Sequence, residues 1–466
     1  MILPSGSLRR IAAHALAVGL MLALIGCAGT PNAPALGAAS GPGVNGGNDA
    51  AASSSDSERQ ADLALYNRVL NRVRASYVKP VGENQLLANS LKGMLTGLDP
   101  HSDYLNESEY QDLLDESEGE FAGIGAEITR DESYPKVISP IDNTPAAHAG
   151  LKPGDIIVKI DGKLTDGMSL KEVVDRLRGE PGTNVKITIA RTGAKTFDVT
   201  ITRAVIHVAS VTSRLQPGNI AYLRISTFAE NTQQELVRAL DVMSRRADGH
   251  LNGVVLDLRN DPGGLLESAV RVAGDFLDGG VVVSTRGRDP EDNRIYNATP
   301  EGDHVKGLPM VVLINGASAS ASEIVAGALK DRHRAEILGT RSFGKGSVQT
   351  IIPLDGRGAL RLTTALYYTP SGHSIQGEGI VPDAVILPPH GQRGAVTDIV
   401  HESDLSGALN NPGKAASVDN SPEANIDPML IGTPKDYQLS VAIEHLKTAS
   451  AHHAANAVQF PGAGSH

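Results

Sequence analysis

Three serines stand at alternate positions in Asn315-Gly-Ala-Ser-Ala-Ser-Ala-Ser-Glu323, between the apolar run PMVVLI and the helix-like stretch EIVAGALKD. Further along, Lys345 sits between two glycines in Phe343-Gly-Lys-Gly-Ser-Val-Gln349. A serine hydroxyl attacks a carbonyl only when a neighbouring base takes its proton, and a lysine is such a base only when neutral. Taken alone, neither stretch requires chemistry. Small residues between a strand and a helix make a tight turn whose serine caps free N–H groups, and a lysine flanked by glycines suits a solvated loop. Asp331 is expected at the helix C-terminus in contact with a local Arg or Lys. Among fourteen histidines, His333 and His373 are candidates for a Ser/His/Asp triad, but neither lies in a triad motif. His101, in Leu98-Asp-Pro-His-Ser-Asp-Tyr-Leu105, fits a hydrogen-bonded turn residue better than a general base. No HExxH and no cysteine cluster is present, so no metal site is expected.

Composition narrows the classes. The chain has 466 residues, 41% apolar and 20% charged, enough for two or three cores. Its net charge of −11, without a long Lys/Arg run, argues against a nucleic-acid surface. Residues 1–27 have the pattern of a secretory signal: Arg9-Arg10, an apolar stretch from Ile11 to Ile25, then Gly26-Cys27. Leu24-Ile25-Gly26-Cys27 resembles a bacterial lipobox, which makes Cys27, the single cysteine, the expected lipidation site. Ala28 stands where an inner-membrane retention aspartate would be, so the expected location is the periplasm, anchored by lipid, at the outer membrane sooner than the inner. Residues 28–56 are Gly, Ala, Ser, Asn and Pro with few large apolar groups, the composition of a disordered tether reaching on the order of 30 Å.

Three ordered regions are expected beyond it. In residues 57–118, Leu63, Tyr66, Leu70, Val73 and Tyr77 recur with helical spacing and predict a helix from Ser57 to Tyr77, packed within the monomer or against a second subunit. A second short helix is expected from Asn84 to Gly97. Residues 119–205 carry short β-like runs and one amphipathic helix near Ser169 to Arg178. There, Pro145-Ala-Ala-His-Ala-Gly-Leu-Lys-Pro-Gly-Asp-Ile-Ile-Val-Lys-Ile-Asp-Gly162 resembles the core of a PDZ domain. In that resemblance Gly123, Ile124 and Gly125 form the loop that binds a peptide carboxylate, because successive N–H groups of a glycine turn converge on an anion while the peptide adds to the sheet edge. Residues 206–390 alternate buried strands with helices, an α/β core, and Asn231 with Gln234 reads as a capping box. Residues 391–466 are a loop-rich extension with a closing helix from Asp436 to Ala449.

Four matches occur together in that core: Leu258-Arg-Asn-Asp-Pro-Gly-Gly264, Ser318-Ala-Ser-Ala-Ser-Glu-Ile324, Asp331, and Phe343 to Gln349. Their order resembles the carboxyl-terminal processing, or tail-specific, proteases over roughly Leu63 to Pro388. The resemblance implies an α+β multidomain protein, with a ClpP/crotonase-like α/β protease core, an inserted β-rich PDZ domain and an N-terminal helical segment. It implies Ser320 as nucleophile, Lys345 as base and Gln349 as the group that orients the lysine. The N–H of Ala321 with that of Gly263 or Gly264 then makes the oxyanion hole, while Ser318 and Ser322 serve the turn and the cap. Burial would bring Lys345 toward neutrality, and an uncharged Gln349 would not hold the proton on it as a carboxylate would. No cofactor is implied. Substrates are proteins or peptides with exposed C-termini, and an activating adaptor protein and a homo-oligomer are both compatible. The rival expectation is a catalytically silent PDZ adaptor or scaffold that binds C-termini. Asn260-Asp261 before the glycines and the polar stretch past Pro388 depart from the commonest family pattern.

Overall fold

The computed structural model describes residues 48–131, 133–394, 399–413 and 421–458. The signal segment, Cys27 and the first part of the tether lie outside them. Two units are distinct, up to Val78 and from Lys79 onward. The first is helix α1 (Asn48–Ser76), which starts inside the segment expected to be tether. The run Asp49-Ala-Ala-Ala52 explains the early start, since alanine has the highest helix propensity. Leu63, Tyr66 and Tyr77, three residues of the expected stripe, are exposed.

In the second unit, α2 (Glu83–Thr96), the short strand β1 (Asp103–Leu105) and α3 (Glu107–Glu118) lead into the inserted domain. Asn106 and Glu109 close a capping box that starts α3, and Gly119, left-handed, ends it. Strand β2 (Glu120–Gly123) then enters a sheet-rich domain of β3 (Ala126–Asp131), β4 (Tyr134–Pro140), α4 (Pro145–His148), β5 (Ile156–Ile160), β6 (Lys163–Leu164), α5 (Leu170–Leu177), β7 (Asn184–Ala190) and β8 (Phe197–Thr202). The sheet order is β3-β4-β5-β7-β8, with β6 on β5. Alternating inward residues Val185, Ile187 and Ile189 meet Ile157, Ile160, Val173 and Leu177 in a separate apolar core. Helix α5 is the amphipathic helix expected, with Ser169 and Glu172 in a reciprocal capping box. The chain leaves through β9 (Ala204–His207), which pairs antiparallel with β2, so entry and exit form one ribbon.

The core follows: β10 (Val211–Gln216), β11 (Ile220–Ile225), α6 (Thr232–Arg246), β12 (Gly253–Asp257), α7 (Leu266–Gly274), β13 (Gly280–Gly287), β14 (Arg294–Ala298), β15 (Met310–Ile314), α8 (Ala321–Asp331), β16 (Glu336–Gly339), β17 (Ser347–Pro353), β18 (Ala359–Tyr368), β19 (Ala384–Val385) and α9 (Tyr437–Val458). One six-stranded sheet runs β10-β11-β12-β15-β16-β19 and is parallel from β11 onward. Strands β12 and β15 are buried at every position, as a sheet covered on both faces requires. One face packs on α6, α7 and α8 through Leu236, Leu240, Met243, Val272 and Val325. Each such buried side chain stabilises the fold by about 1.5–3 kcal/mol. The other face is covered by α9 through Leu439, Ala442 and Leu446. A second, antiparallel sheet places β18 between β1, β13 and β17.

Two sequence expectations change. The Asn231–Gln234 capping box does not form. Asn231 precedes α6 without capping it and its amide donates to Glu235, while Thr232 Oγ1 accepts from the N–H of Ala229. The C-terminal stretch is part of the core and not a separate extension. Glu402 is 1% exposed, its N–H donating to the carbonyl of Phe343, and Asp436 is fully buried beside Arg259.

Candidate active site

Parallel strands deliver their following loops to one edge of the sheet, where ligands bind in open α/β folds. Here the loops after β12, β15 and β16 meet. The first carries Gly263 and Gly264, the second Ser320, and the third leads to Lys345. Asn260 and Asn315 exchange hydrogen bonds between the first two loops, at 3.0 and 2.7 Å. Ser318 Oγ donates to the carbonyl of Leu258 at 2.7 Å, and Ser322 Oγ donates to that of Asp261 at 3.1 Å. The outer serines are therefore ties between loops. Ser318 holds the turn as expected, whereas Ser322 fastens the helix to the glycine loop and does not cap it.

Ser320 is the exception. It adopts φ +55°, ψ −113°, a strained conformation for a residue with a Cβ, immediately before α8. Its Oγ lies 2.8 Å from Tyr367 Oη, and it is 9% exposed. Gly263 reaches it because it lacks a side chain: a Cβ there would lie 2.8 Å from Ser320 Cβ and 2.9 Å from the Ala321 nitrogen. A Cβ on Gly264 would meet the carbonyl oxygen of Phe228 at 2.3 Å. The N–H of Gly263 is already given to Asp261 Oδ1 at 2.8 Å. Those of Ala321 and Gly264 donate to no acceptor among the described residues.

Glu323, which sequence reasoning missed, joins the two halves of the site. Its buried carboxylate accepts from the N–H of Ser320 (2.8 Å), Ser342 Oγ (2.5 Å), the N–H of Gly344 (2.7 Å) and the N–H of Lys345 (2.9 Å). Burial pushes its carboxyl up to about 7 against the pull of those four donors. The nucleophile-like and base-like segments thus hang on one side chain. Three positions after the middle serine, a glutamate on a helix's first turn was the available signal.

Lys345 is half-buried, and its ammonium is held below the ordinary lysine range. Burial is the main cause and the charge of Arg361 the second, with Glu402, Glu323 and Asp99 opposing. Among the described residues its Nζ makes no hydrogen bond or ion pair. The expected partnership with Gln349 is absent too: Gln349 Nε2 donates to Ser347 Oγ at 3.0 Å and to Thr363 Oγ1 at 3.2 Å. Thr363 Oγ1 in turn donates to Asp99 Oδ1 at 3.0 Å, which links Gln349 to the Asp99-Pro-His-Ser102 turn. His101 is a hydrogen-bonded turn residue, as expected, with Nε2 2.8 Å from Glu402 Oε2. Glu402 also accepts from Gln376 Nε2, and Gln376 Oε1 accepts the N–H of Gly346. Asp331 accepts from the N–H of Ser371 and not from a local Arg or Lys, but its structural role stands. His373 pairs with Glu378 at the surface. No group of three or more potential metal ligands occurs among the described residues.

In the inserted domain, Gly125 has φ +76°, and a Cβ on it would lie 2.4 Å from Thr144 Cβ. The carbonyls of Ile124 and Gly125 accept from Ala146 and Ile141. The N–H groups of Ile124 and Gly125 donate to none of the described residues, so the loop keeps donors for an anion.

An α/β core that presents one strained serine beside two N–H groups, those of Ala321 and Gly264, with no acceptor among the described residues has the layout of a serine hydrolase. Comparison with known proteins agrees. Residues 219–386 match the model of peptidase family S41, and residues 136–191 match that of the PDZ domain. The carboxy-terminal-processing protease of Bartonella bacilliformis is 48% identical over 394 residues, 84% of this chain and 89% of the relative. A probable CtpA-like serine protease of Staphylococcus epidermidis is 37% identical, over 71% of this chain and 67% of its own. Among solved structures, the photosystem II D1 C-terminal processing protease is 32% identical with a TM-score of 0.40, covering 69% of this chain and 92% of that one. The PDZ domain of a carboxy-terminal protease from Vibrio cholerae, in complex with peptide, is 30% identical with a TM-score of 0.18, covering 19% and 99%. The chain belongs to peptidase family S41, as a carboxyl-terminal processing protease with a PDZ domain. It is a serine protease.

Proposed function

We propose that the chain captures protein C-termini at the Gly123–Ile124–Gly125 loop and cleaves peptide bonds through an acyl-enzyme on Ser320, with Lys345 as general base. The observation that carries this is the Glu323 clasp, which holds the strained serine and the lysine segment on one carboxylate. In the reaction, Lys345 Nζ takes the Ser320 proton as Oγ attacks the carbonyl carbon. The carbonyl oxygen becomes the oxyanion facing the free N–H groups of Ala321 and Gly264, and Lys345 passes the proton to the leaving amine. Water then repeats the sequence and releases the acid. Gln349 contributes through the Thr363–Asp99 chain, tying β17, which follows Lys345, to β18 and the Asp99 turn, and does not hold the amine itself.

Ser320→Ala and Lys345→Ala should each abolish hydrolysis of unfolded casein, while binding of a labelled C-terminal peptide stays within about twofold, a shift under 0.5 kcal/mol. Full turnover in either variant would contradict the assignment, and peptide capture without turnover in the native chain would favour the adaptor reading. The sequence pattern at residues 1–27 further supports a lipid anchor at Cys27 on the periplasmic side of the envelope. Cys27→Ala should move the protein from the membrane to the soluble periplasmic fraction, and an unchanged distribution would count against the anchor.

A further inference from the structure

The hydroxyl nearest to Ser320 Oγ is that of Tyr367, a residue the mechanism above does not use. Tyr367 is the penultimate residue of β18, and its ring is buried in the main core cluster, 4% exposed. Its position relative to the site is fixed by backbone. Its N–H donates to the carbonyl of Gly346 at 2.8 Å, next to Lys345, and the preceding residues Ala365 and Leu366 pair with Val348 and Ser347. Tyr367, on β18, is therefore tied to the loop that carries Lys345 just before β17. The 2.8 Å contact with Ser320 Oγ is the one hydrogen bond of the Tyr367 side chain among the described residues.

The direction of that bond follows from chemistry. A phenol is a stronger donor than an alkanol, and burial raises the tyrosine's proton affinity further, with the Ser320 bond opposing, so the phenol stays neutral. Either oxygen could donate across this contact; because the Ser320 proton must be free to leave toward the base, the bond is assigned with Tyr367 donating and Ser320 Oγ accepting. A serine oxygen has two lone pairs and one proton. With one lone pair occupied by Tyr367, the hydroxyl's own proton is left to the base and the other lone pair to the substrate carbonyl.

We infer that Tyr367 is a third catalytic residue of this site: its phenol donates to Ser320 Oγ, sets the direction of the serine proton, and stabilises the negative charge that gathers on Oγ as the proton leaves for Lys345. Tyr367 keeps its proton throughout. The Ser320 Oγ–H bond breaks toward Lys345 Nζ, the Oγ–carbon bond forms, and the phenol bond strengthens while the charge lasts. This inference rests on Ser320 as the nucleophile, the reading proposed above. It adds a group contributed by the second sheet to a site otherwise built from loops of the first.

The test is Tyr367→Phe, which keeps the ring and removes the donor, measured beside Ser320→Ala. The expected result is a fall in kcat of about 10–100-fold on a fluorogenic peptide, with KM within twofold and an unchanged melting temperature. Acylation of Ser320 by a fluorophosphonate should slow by the same factor, and the pH at which activity rises should not move. A kcat equal to or above that of the native chain would overturn the inference, a rise meaning that the phenol restrains the serine. Should Tyr367→Phe fail to fold, p-aminophenylalanine at position 367 decides. It retains a donor, so activity within tenfold of native supports the inference and an inactive but folded protein overturns it. The Ser320→Ala arm separates the two readings. Activity surviving in that variant removes the nucleophile itself, whereas a dead Ser320→Ala beside an unimpaired Tyr367→Phe removes the tyrosine alone.

Discussion

At the scale of single residues, the site is a set of buried groups whose protonation is decided by burial. Asp261 is the clearest case. It is fully buried, one oxygen accepts from the N–H of Gly263, and the other has no partner. Burial pushes its carboxyl up to about 8. The unfolded chain loses that proton near 3.8, so between the two values the folded state holds one proton more. Stability must then fall as pH rises across that window and level off above it. Asp261→Asn keeps the acceptor for Gly263 and cannot ionise. It should therefore gain about 1–3 kcal/mol of unfolding free energy at pH 8 and nothing at pH 4. Parallel pH–stability curves for the two proteins would contradict this. The sequence marked Ser320, Lys345 and the glycines because their types and spacing are distinctive. It did not mark Glu323 or Tyr367, since a carboxylate three residues into a helix and a tyrosine in a strand are ordinary until distant partners meet them.

At the scale of elements, local signals carried far. The amphipathic helix from Leu170 to Leu177, the short strands of the PDZ domain and the strand–helix alternation of the core were all legible, because periodicity and capping residues act within a few positions. The failures are long-range. Asn231 and Gln234 have capping-box chemistry, but Asn231 bonds to Glu235, and Thr232 with Glu235 ties the helix start to the Ser210–Val211 segment. The Gln349 amide is drawn to Ser347 and to Thr363 on the neighbouring strand and away from the lysine. Tertiary context overrode local chemistry in each case.

At the scale of the whole molecule, the C-terminal residues complete the core. Arg259, in the loop that carries the two glycines, is fully buried and paired with Asp257 at 2.5 Å and Asp436 at 2.6 Å, with Gln438 accepting from it as well. That buried charge is satisfied only when the start of α9 docks, so the glycine loop and the C-terminal helix form one structure. Glu402 reaches the Lys345 segment through Gln376 and the N-terminal turn through His101. Composition hid this, because a polar, loop-rich stretch gives no sign that its charged residues are buried. The charge state of Lys345 is thus set by opposing influences: burial and Arg361 favour the amine, while Glu402, Glu323 and Asp99 favour the ammonium.

Proton abstraction by Lys345 requires that burial win at that lysine. That requirement is tested most directly by following the Lys345 side-chain resonance in isotopically labelled protein across pH, alongside the rate at which Ser320 is acylated. The midpoint should lie below the ordinary lysine value of 10.5, with acylation slow at acid pH and rising through that same midpoint as the amine becomes free. A Lys345 that remains charged through the whole range in which acylation runs at full rate would contradict it.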